Sequence, residues 1–421
     1  MKKIFSLLVK SNIAKNFLSL SAAEIFARII SLITFAYLAR VLTPNGFGVI
    51  GFAAAFVSYF VLIVNFGLDD YGAREIAKNE ESSSRYVNAI VSFKLITVIP
   101  LFILLTACAF LFASDSTIRI AIILAGINLF SSSISVDWFY QGIQKMGYIA
   151  VRQAAASTLN FVLIIIFVSN PSDVLLAVGI SSFSFLVNAL LLFGVYNKTV
   201  NRFRFEKSKQ VLKQILIESM PIAVSSFMIA VYYNLDMVML GYMKGEYEVG
   251  IYNAAVKIFL LGNISYILVL KTFYPSLSKI GLSGSGEFKT NYRNYFYSML
   301  SFGIITSLII FFFAPLIITI IYGSAYSGSV DVLKIFGMNS IVVCINMIFG
   351  NPLVAWGRQK SYSIIVGSGA VSNIILNFLL IPTYSYYGAS IATLASEMVV
   401  FIGLVYLSGK IFSGIKYKMN I

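Results

Sequence analysis

The stretch LARVLTPNGFGVIGFAAAF (Leu38–Phe56) stands 202 residues ahead of LGYMKGEYEVGIYNAAVKI (Leu240–Ile258). At that offset Leu38 falls on Leu240, Gly48 on Gly250 and Ala53 on Ala255, and the turn at Thr43–Gly46 (TPNG) meets the turn at Lys244–Glu248. A second correspondence joins YQGIQKMGYIAV (Tyr140–Val151) to AWGRQKSYSIIV (Ala355–Val366) and puts Gly142, Gln144 and Lys145 on Gly357, Gln359 and Lys360 at an offset of 215. One modest insertion in the second copy reconciles the two offsets. The chain reads as two copies of one unit, and the residues around these stretches say what kind of unit it is.

Those surroundings are apolar. Of 421 residues 59% are hydrophobic and only 11% charged, with a mean hydropathy of +0.87. A soluble domain carries about 25% charged residues, so a soluble enzyme is disfavoured at once. Apolar runs occur at 16–39, 47–66, 87–112, 118–140, 149–168, 174–195, 215–242, 249–272, 294–321, 332–356, 362–381 and 388–409. Each reaches the roughly 20 residues that a helix needs to cross a bilayer. Charge tests the assignment. With the N-terminus in the cytoplasm, 24 of the 31 basic residues fall in cytoplasmic segments. Arg40, Arg119, Lys244 and Lys334 fall on the other side, and Arg28, Lys94 and Lys257 fall inside spans. That asymmetry follows the positive-inside rule and puts both termini in the cytoplasm. The net charge of +14 is a topology signal here and does not point to nucleic acid.

The predicted fold class is therefore an all-α polytopic membrane protein. About twelve transmembrane helices form two six-helix bundles, 1–200 and 215–421, joined by a basic cytoplasmic linker at 201–214. Six spans is an even number, so both halves enter from the same side. Such repeats are related by a pseudo-two-fold axis along the membrane normal, with a central cavity between them. The absence of histidine removes the usual general base and the commonest metal ligand. Cys108 and Cys344 lie in apolar runs and form no pair motif, and no G-x-x-x-x-G-K-[ST] loop is present. No metal, no cofactor and no catalytic residue is expected.

ARVLTPNGFGVIGF at the exit of the first span, followed by NFGLDDYGAREIAKNE (Asn65–Glu80), resembles the opening of Wzx-type O-antigen and polysaccharide repeat-unit flippases. Their superfamily also holds the multidrug and toxin extrusion transporters and the lipid II flippases. The resemblance extends over the whole chain through span count, repeat and loop spacing. It implies a transporter of the bacterial inner membrane that is not an enzyme. Its substrate would be an undecaprenyl-diphosphate-linked oligosaccharide moved to the periplasmic leaflet by alternating access. Membrane lipids, H⁺ or Na⁺ and other polysaccharide assembly proteins are the implied partners. The rival reading is a cation-coupled drug antiporter of the same superfamily.

Ionisable groups within spans cost about 2.5–3.5 kcal/mol each at mid-depth, so they face a cavity or a partner. Glu24 and Arg28 are four residues apart and share one helix face. They read either as a self-satisfied pair or as a phosphate receptor, with Glu24 orienting a guanidinium whose fork matches phosphate oxygens. Lys94 and Lys257 are further candidate cations for substrate, and Tyr232 a candidate for stacking on a sugar. Asp236 and Glu397 are candidate carboxylates for ion coupling; Asp236 reads equally as the structural partner of Lys257. The mixed-charge stretch Leu68–Arg85 reads as an interfacial helix at the cytoplasmic surface.

Overall fold

The computed structural model describes residues 12–113, 115–279 and 286–419. Side chains at 12–25, 225, 229, 231–233, 264–265, 268, 275, 279, 286–289 and 411–419 lie outside that description. Among the described residues there is helix and no strand. In chain order the helices are α1 (Asn12–Asn65), α2 (Leu68–Lys78), α3 (Ser83–Phe112), α4 (Ser116–Ala125), α5 (Ile127–Ile134), α6 (Asp137–Gly142) and α7 (Met146–Phe167). They continue with α8 (Val174–Thr199), α9 (Lys209–Lys244), α10 (Glu246–Gly262), α11 (Ile264–Lys279), α12 (Gly286–Ile321), α13 (Ser329–Ala355) and α14 (Gln359–Met419).

Two of these helices are too long to be single spans. The 54 residues of α1 would stretch about 80 Å if straight, against a hydrocarbon layer of about 30 Å. The chain turns at Thr43, whose φ of 61° and ψ of 173° are not helical. The reversal shows in the side chains: the Phe35 and Phe47 rings meet edge to face at 6.3 Å, where twelve residues of straight helix would separate them by about 18 Å. In α14 the same event occurs at Ser385 (φ 51°, ψ −131°), and Gly388 packs directly on the carbonyl of Leu380. Nine stretches among the described residues are long and apolar enough to cross a membrane. Dividing α1 and α14 at their turns, and adding the α10–α11 pair, recovers the twelve expected spans.

Two spans are not continuous. The stretch expected at 118–140 is broken into α4, α5 and α6. Gly126 lies against Leu105 and Phe102 where a Cβ would collide with both, and Ser135 is extended, which re-aims the chain before Asp137. The span at 249–272 breaks at Asn263, which caps α10.

The repeat is visible as a backbone conformation. Gly245, which is Thr43 displaced by 202 residues, is the single residue between α9 and α10 and has φ 97° and ψ −176°. Both copies thus reverse direction on one residue with positive φ and extended ψ. The second correspondence shifts slightly. The left-handed residues are Gln144 (φ 58°) and Gly357 (φ 73°). Each is followed by an amide that bonds five residues back, Lys145 to Tyr140 and Arg358 to Leu353, the bond of a Schellman helix end. The turns therefore correspond at an offset of 213, and the shared glycines do not: Gly142 is helical and buried, while Gly357 is the turn.

The chain divides into two compact units, Met1–Ala230 and Val231–Ile421, with the division inside α9. In the first unit α2 is a separate short helix between α1 and α3. Its apolar face (Leu68, Tyr71, Ile76) joins Val87 and Ile90 of α3 and the aromatic group Trp138, Phe139, Tyr140 and Tyr196 in one buried core. Gly72 permits this, because any Cβ there would strike the Trp138 ring. On its outer face Lys78, with Arg74 behind it, holds the Glu75 carboxyl below the usual carboxylate range. In the second unit α13 is the central helix, with a buried row from Val332 through Phe336, Asn339, Cys344 and Ile348 to Leu353.

The turn geometry gives a stability test. Thr43 occupies a region of backbone space that is essentially reserved for glycine, at a cost of about 1–3 kcal/mol. Thr43→Gly should raise the thermal unfolding midpoint of the detergent-purified protein. Gly245→Val should lower it by a comparable free energy, since a Cβ at Gly245 meets no neighbouring atom and only the backbone is strained.

Candidate functional site

The first unit holds a fully buried cation. Lys94 lies on α3 with no exposed surface. Its Nζ donates to Asn65 Oδ1 at 2.9 Å, to Asp69 Oδ1 at 2.5 Å and to the Ser132 carbonyl at 3.5 Å. Ser132 Oγ donates to the same Asn65 oxygen at 2.8 Å. The end of α1, the first turn of α2 and the middle of α5 are thereby tied to one ammonium. About a third of the Asp69 side chain is exposed, and Asn65 and Ser132 are half-buried. Nearby, Arg152 of α7 pairs with Asp137 of α6 at 2.8 Å, and Ser135 Oγ donates to the other Asp137 oxygen at 3.0 Å.

Arg28 is half-buried on the first limb of α1. One turn further on, Ser31 helps line a cavity of about 40 Å³ with Ala156, Ser157, Asn160, Ser184 and Phe185, large enough for water. The Asn160 side-chain oxygen is buried there without a hydrogen-bond partner. Glu24 and Tyr232 stand on described helix, but their side chains lie outside the described residues.

The second unit holds two buried carboxylates. Asp236 on α9 is 3% exposed. Tyr252 of α10 and Thr393 of α14 each donate a hydroxyl to its Oδ2 at 2.6 Å, and Asn377 Nδ2 donates to its Oδ1 at 2.5 Å. Asn377 in turn donates to Asn373 Oδ1 at 3.0 Å, while its own Oδ1 is buried and unpartnered. The result is a nest of neutral polar groups around one carboxylate: a phenol, an alcohol and two amides, drawn from α10 and α14. The donors at Asp236 are neutral groups, so the geometry does not follow the ion pair with Lys257 that the sequence allowed. Lys257 is half-buried on α10, one turn beyond the buried Asn253. Glu397, 8% exposed, accepts from Asn346 Nδ2 of α13 at 2.6 Å. Among the described residues no group of three or more Cys, Asp or Glu is placed to hold a metal.

These arrangements have distinct capacities. The Lys94 group joins a fully buried cation to a half-buried carboxylate, amide and hydroxyl. The Asp236 group is a buried carboxylate whose hydrogen-bond donors are neutral hydroxyl and amide side chains. Sequence reasoning singled out the charged centres and missed their partners. Asn373 and Asn377 carried a usable signal, an i,i+4 pair of amides in an otherwise apolar run, and so did Thr393 four residues before Glu397. Asn65 and Asp69 carried none, because they sit where polar residues are expected, at the end of a span.

Against known proteins, residues 13–281 match the family described as "Polysaccharide biosynthesis protein", and residues 221–379 match the family MatE. A Shigella dysenteriae protein named "Putative O-antigen transporter" is 26% identical over 403 residues, 93% of this chain and 98% of its own length. Among solved structures, "Lipid II flippase MurJ, inward closed conformation" superposes with a TM-score of 0.76 at 16% identity, covering 92% of this chain and 86% of that one. An inward-facing multidrug resistance MATE family transporter gives 0.71 at 17% identity, with 93% and 96% covered. The likeness to these structures is one of fold.

The Lys94 network makes a measurable claim. Lys94→Ala removes the cation that bonds Asp69 and Asn65, and breaking a buried pair costs about 3–5 kcal/mol, less here because Asp69 is partly hydrated. A loss of about 2–3 kcal/mol is expected in chemical unfolding of the purified protein. A double-mutant cycle with Asp69→Asn should return a coupling energy above about 1 kcal/mol; additive losses would show that the two charges do not support each other.

Proposed function

The chain belongs to the polysaccharide biosynthesis protein family, and from that premise we propose that it is a flippase for a lipid-linked oligosaccharide. The substrate is an undecaprenyl-diphosphate-linked O-antigen or similar polysaccharide repeat unit. It passes from the cytoplasmic to the periplasmic leaflet of the bacterial inner membrane, and both protein termini lie in the cytoplasm. The observation that carries this reading is the end-to-end match with the Shigella relative, together with cations placed at span depth in a chain with so little charge.

No bond is made or broken, so the protein is not an enzyme, and the barrier is desolvation of the headgroup. Arg28, oriented by Glu24, offers the diphosphate two parallel charge-assisted hydrogen bonds in place of water. Lys257 adds positive potential in the second unit, and Tyr232 gives a face for a sugar ring. Lys94 takes part by exchanging Asp69 for a phosphate oxygen. The polyprenyl tail stays in lipid throughout, and access alternates as the two halves rock. The membrane potential favours outward movement of negative charge by about 2.3 kcal/mol per charge per 100 mV. Ion coupling supplements it: H⁺ or Na⁺ binds the Asp236 nest, where the buried, unpartnered Asn377 oxygen is a ready ligand, and Glu397 is the second carboxylate for the same purpose. Other polysaccharide assembly proteins supply and receive the substrate.

One observation favours a second reading. The MatE match at 221–379 contains Asp236, Asn373 and Asn377, so the nest also suits a cation-coupled multidrug antiporter.

Reconstituted vesicles decide between the two. An undecaprenyl-diphosphate oligosaccharide should be flipped faster under an interior-negative potential, and Arg28→Ala should slow it at least about tenfold. Asp236→Asn should abolish the response to imposed Na⁺ and H⁺ gradients. Undiminished transport by Arg28→Ala rejects the phosphate role. Export of organic cations without movement of the sugar lipid selects the antiporter.

A further inference from the structure

The segment between α8 and α9 is the most basic part of the chain. From Lys198 to Lys213 it carries six basic residues and one acid, Glu206. That acid is occupied, since its Oε1 accepts from the Ser208 amide at 2.8 Å at the start of α9. A loop that only sets topology needs its charges and no fixed path. This one has a fixed path. Asn201 Nδ2 donates to Ser84 Oγ at 3.0 Å, the Arg204 amide to Asn88 Oδ1 at 2.9 Å, and the Glu206 amide to Ser92 Oγ at 2.8 Å. Ser84, Asn88 and Ser92 are successive i,i+4 positions on one face of α3, about 6 Å apart. The Phe203 amide is held by Asn197 Oδ1 at 2.7 Å, and its ring packs on Phe193. The segment is thus a strap laid along α3 and pinned at three heights.

The depth of the strap follows from the helices around it. Large exposed apolar side chains begin on α3 at Ile96, end on α8 at Leu191 and begin on α9 at Ile217. These three residues mark one edge of the lipid-facing surface. Ser92, level with Glu206, is one turn outside Ile96; Ser84, level with Asn201, is about 18 Å outside it. Lys207 and Lys209 therefore stand at headgroup height, and Arg202 and Arg204 within a side chain's length of it. All four are exposed, as is Arg85 beside them. Phe205, between the Asn88 and Ser92 pins, leaves 47% of its surface open, an aromatic where membrane interfaces favour one.

We propose that the pinned 200–209 strap is a binding site for anionic phospholipid. It presents Arg202, Arg204, Lys207 and Lys209 to headgroup phosphates of the adjoining leaflet, with Phe205 seated among the headgroups. Basic residues at this height attract anionic lipid individually; ordering their backbone adds a set geometry that a mobile loop lacks. The site belongs to the first unit alone and does not depend on what the protein carries.

The test is lipid retention. The full chain is placed in nanodiscs of equal phosphatidylglycerol and phosphatidylcholine, extracted mildly, and its retained lipid counted by native mass spectrometry. Wild type should keep phosphatidylglycerol in preference to phosphatidylcholine, and the preference should fall with added salt. Two double variants, Arg202→Gln/Arg204→Gln and Lys207→Gln/Lys209→Gln, each leave the loop basic enough to orient the chain. Each should cut the preference at least threefold. An unchanged preference in either variant overturns the proposal. So does a wild type that retains undecaprenyl diphosphate, offered in place of phosphatidylglycerol, but shows no preference for phosphatidylglycerol itself. Flipping assays on the same variants report separately, so a failed site and a failed flippase reading are distinguishable.

Discussion

Hydrocarbon supplies no hydrogen bonds, so every ionisable group carried into it must bring its own solvent. The Lys94 ammonium is the clearest case. With no surface of its own it is solvated by an amide oxygen, a carboxylate and a backbone carbonyl, drawn from α1, α2 and α5. Satisfying that one charge fixes where α1 ends, where α2 begins and how α5 passes behind them. Asp236 obeys the same constraint with the opposite sign, gathering a phenol, an alcohol and an amide from α10 and α14. Glu397 accepts from the amide of Asn346 in the same way. The charged centres thus organise the polar residues around them, and those polar residues hold helices together in a medium where apolar burial distinguishes little between neighbour and lipid.

The two units solve this problem differently although they descend from one repeat. The first buries a cation and lets a carboxylate reach water; the second buries carboxylates and surrounds them with neutral donors. Similar backbones thus carry buried charge of opposite sign in the two units. The fold shared with flippases and drug exporters accommodates either use, which is why the assignment of function rests on side chains and on family membership.

Much of the fold was legible in the sequence because its signals are periodic or additive. Span lengths follow from bilayer thickness, and an offset of 202 residues located a turn that both copies build on one residue. The breaks in α4–α6 and at Asn263 were hidden, because they arise from packing against helices far away in sequence, as Gly126 does against Phe102 and Leu105. The sites were legible only at their charges. A lysine in an apolar run announces itself; the asparagine that solvates it, at the end of the preceding helix, looks like any polar boundary. Charge complementarity is nonlocal, and a single sequence does not say which helix ends meet.

The turns at Thr43 and Gly245 have a consequence for how the protein enters the bilayer. One residue extends at most about 3.6 Å, so each pair of helices is joined with no slack at the membrane surface. Neither limb can be withdrawn while the other stays, and each pair is threaded into lipid as a single hairpin. The tips that emerge give a protease or an inserted tag no loop to grasp.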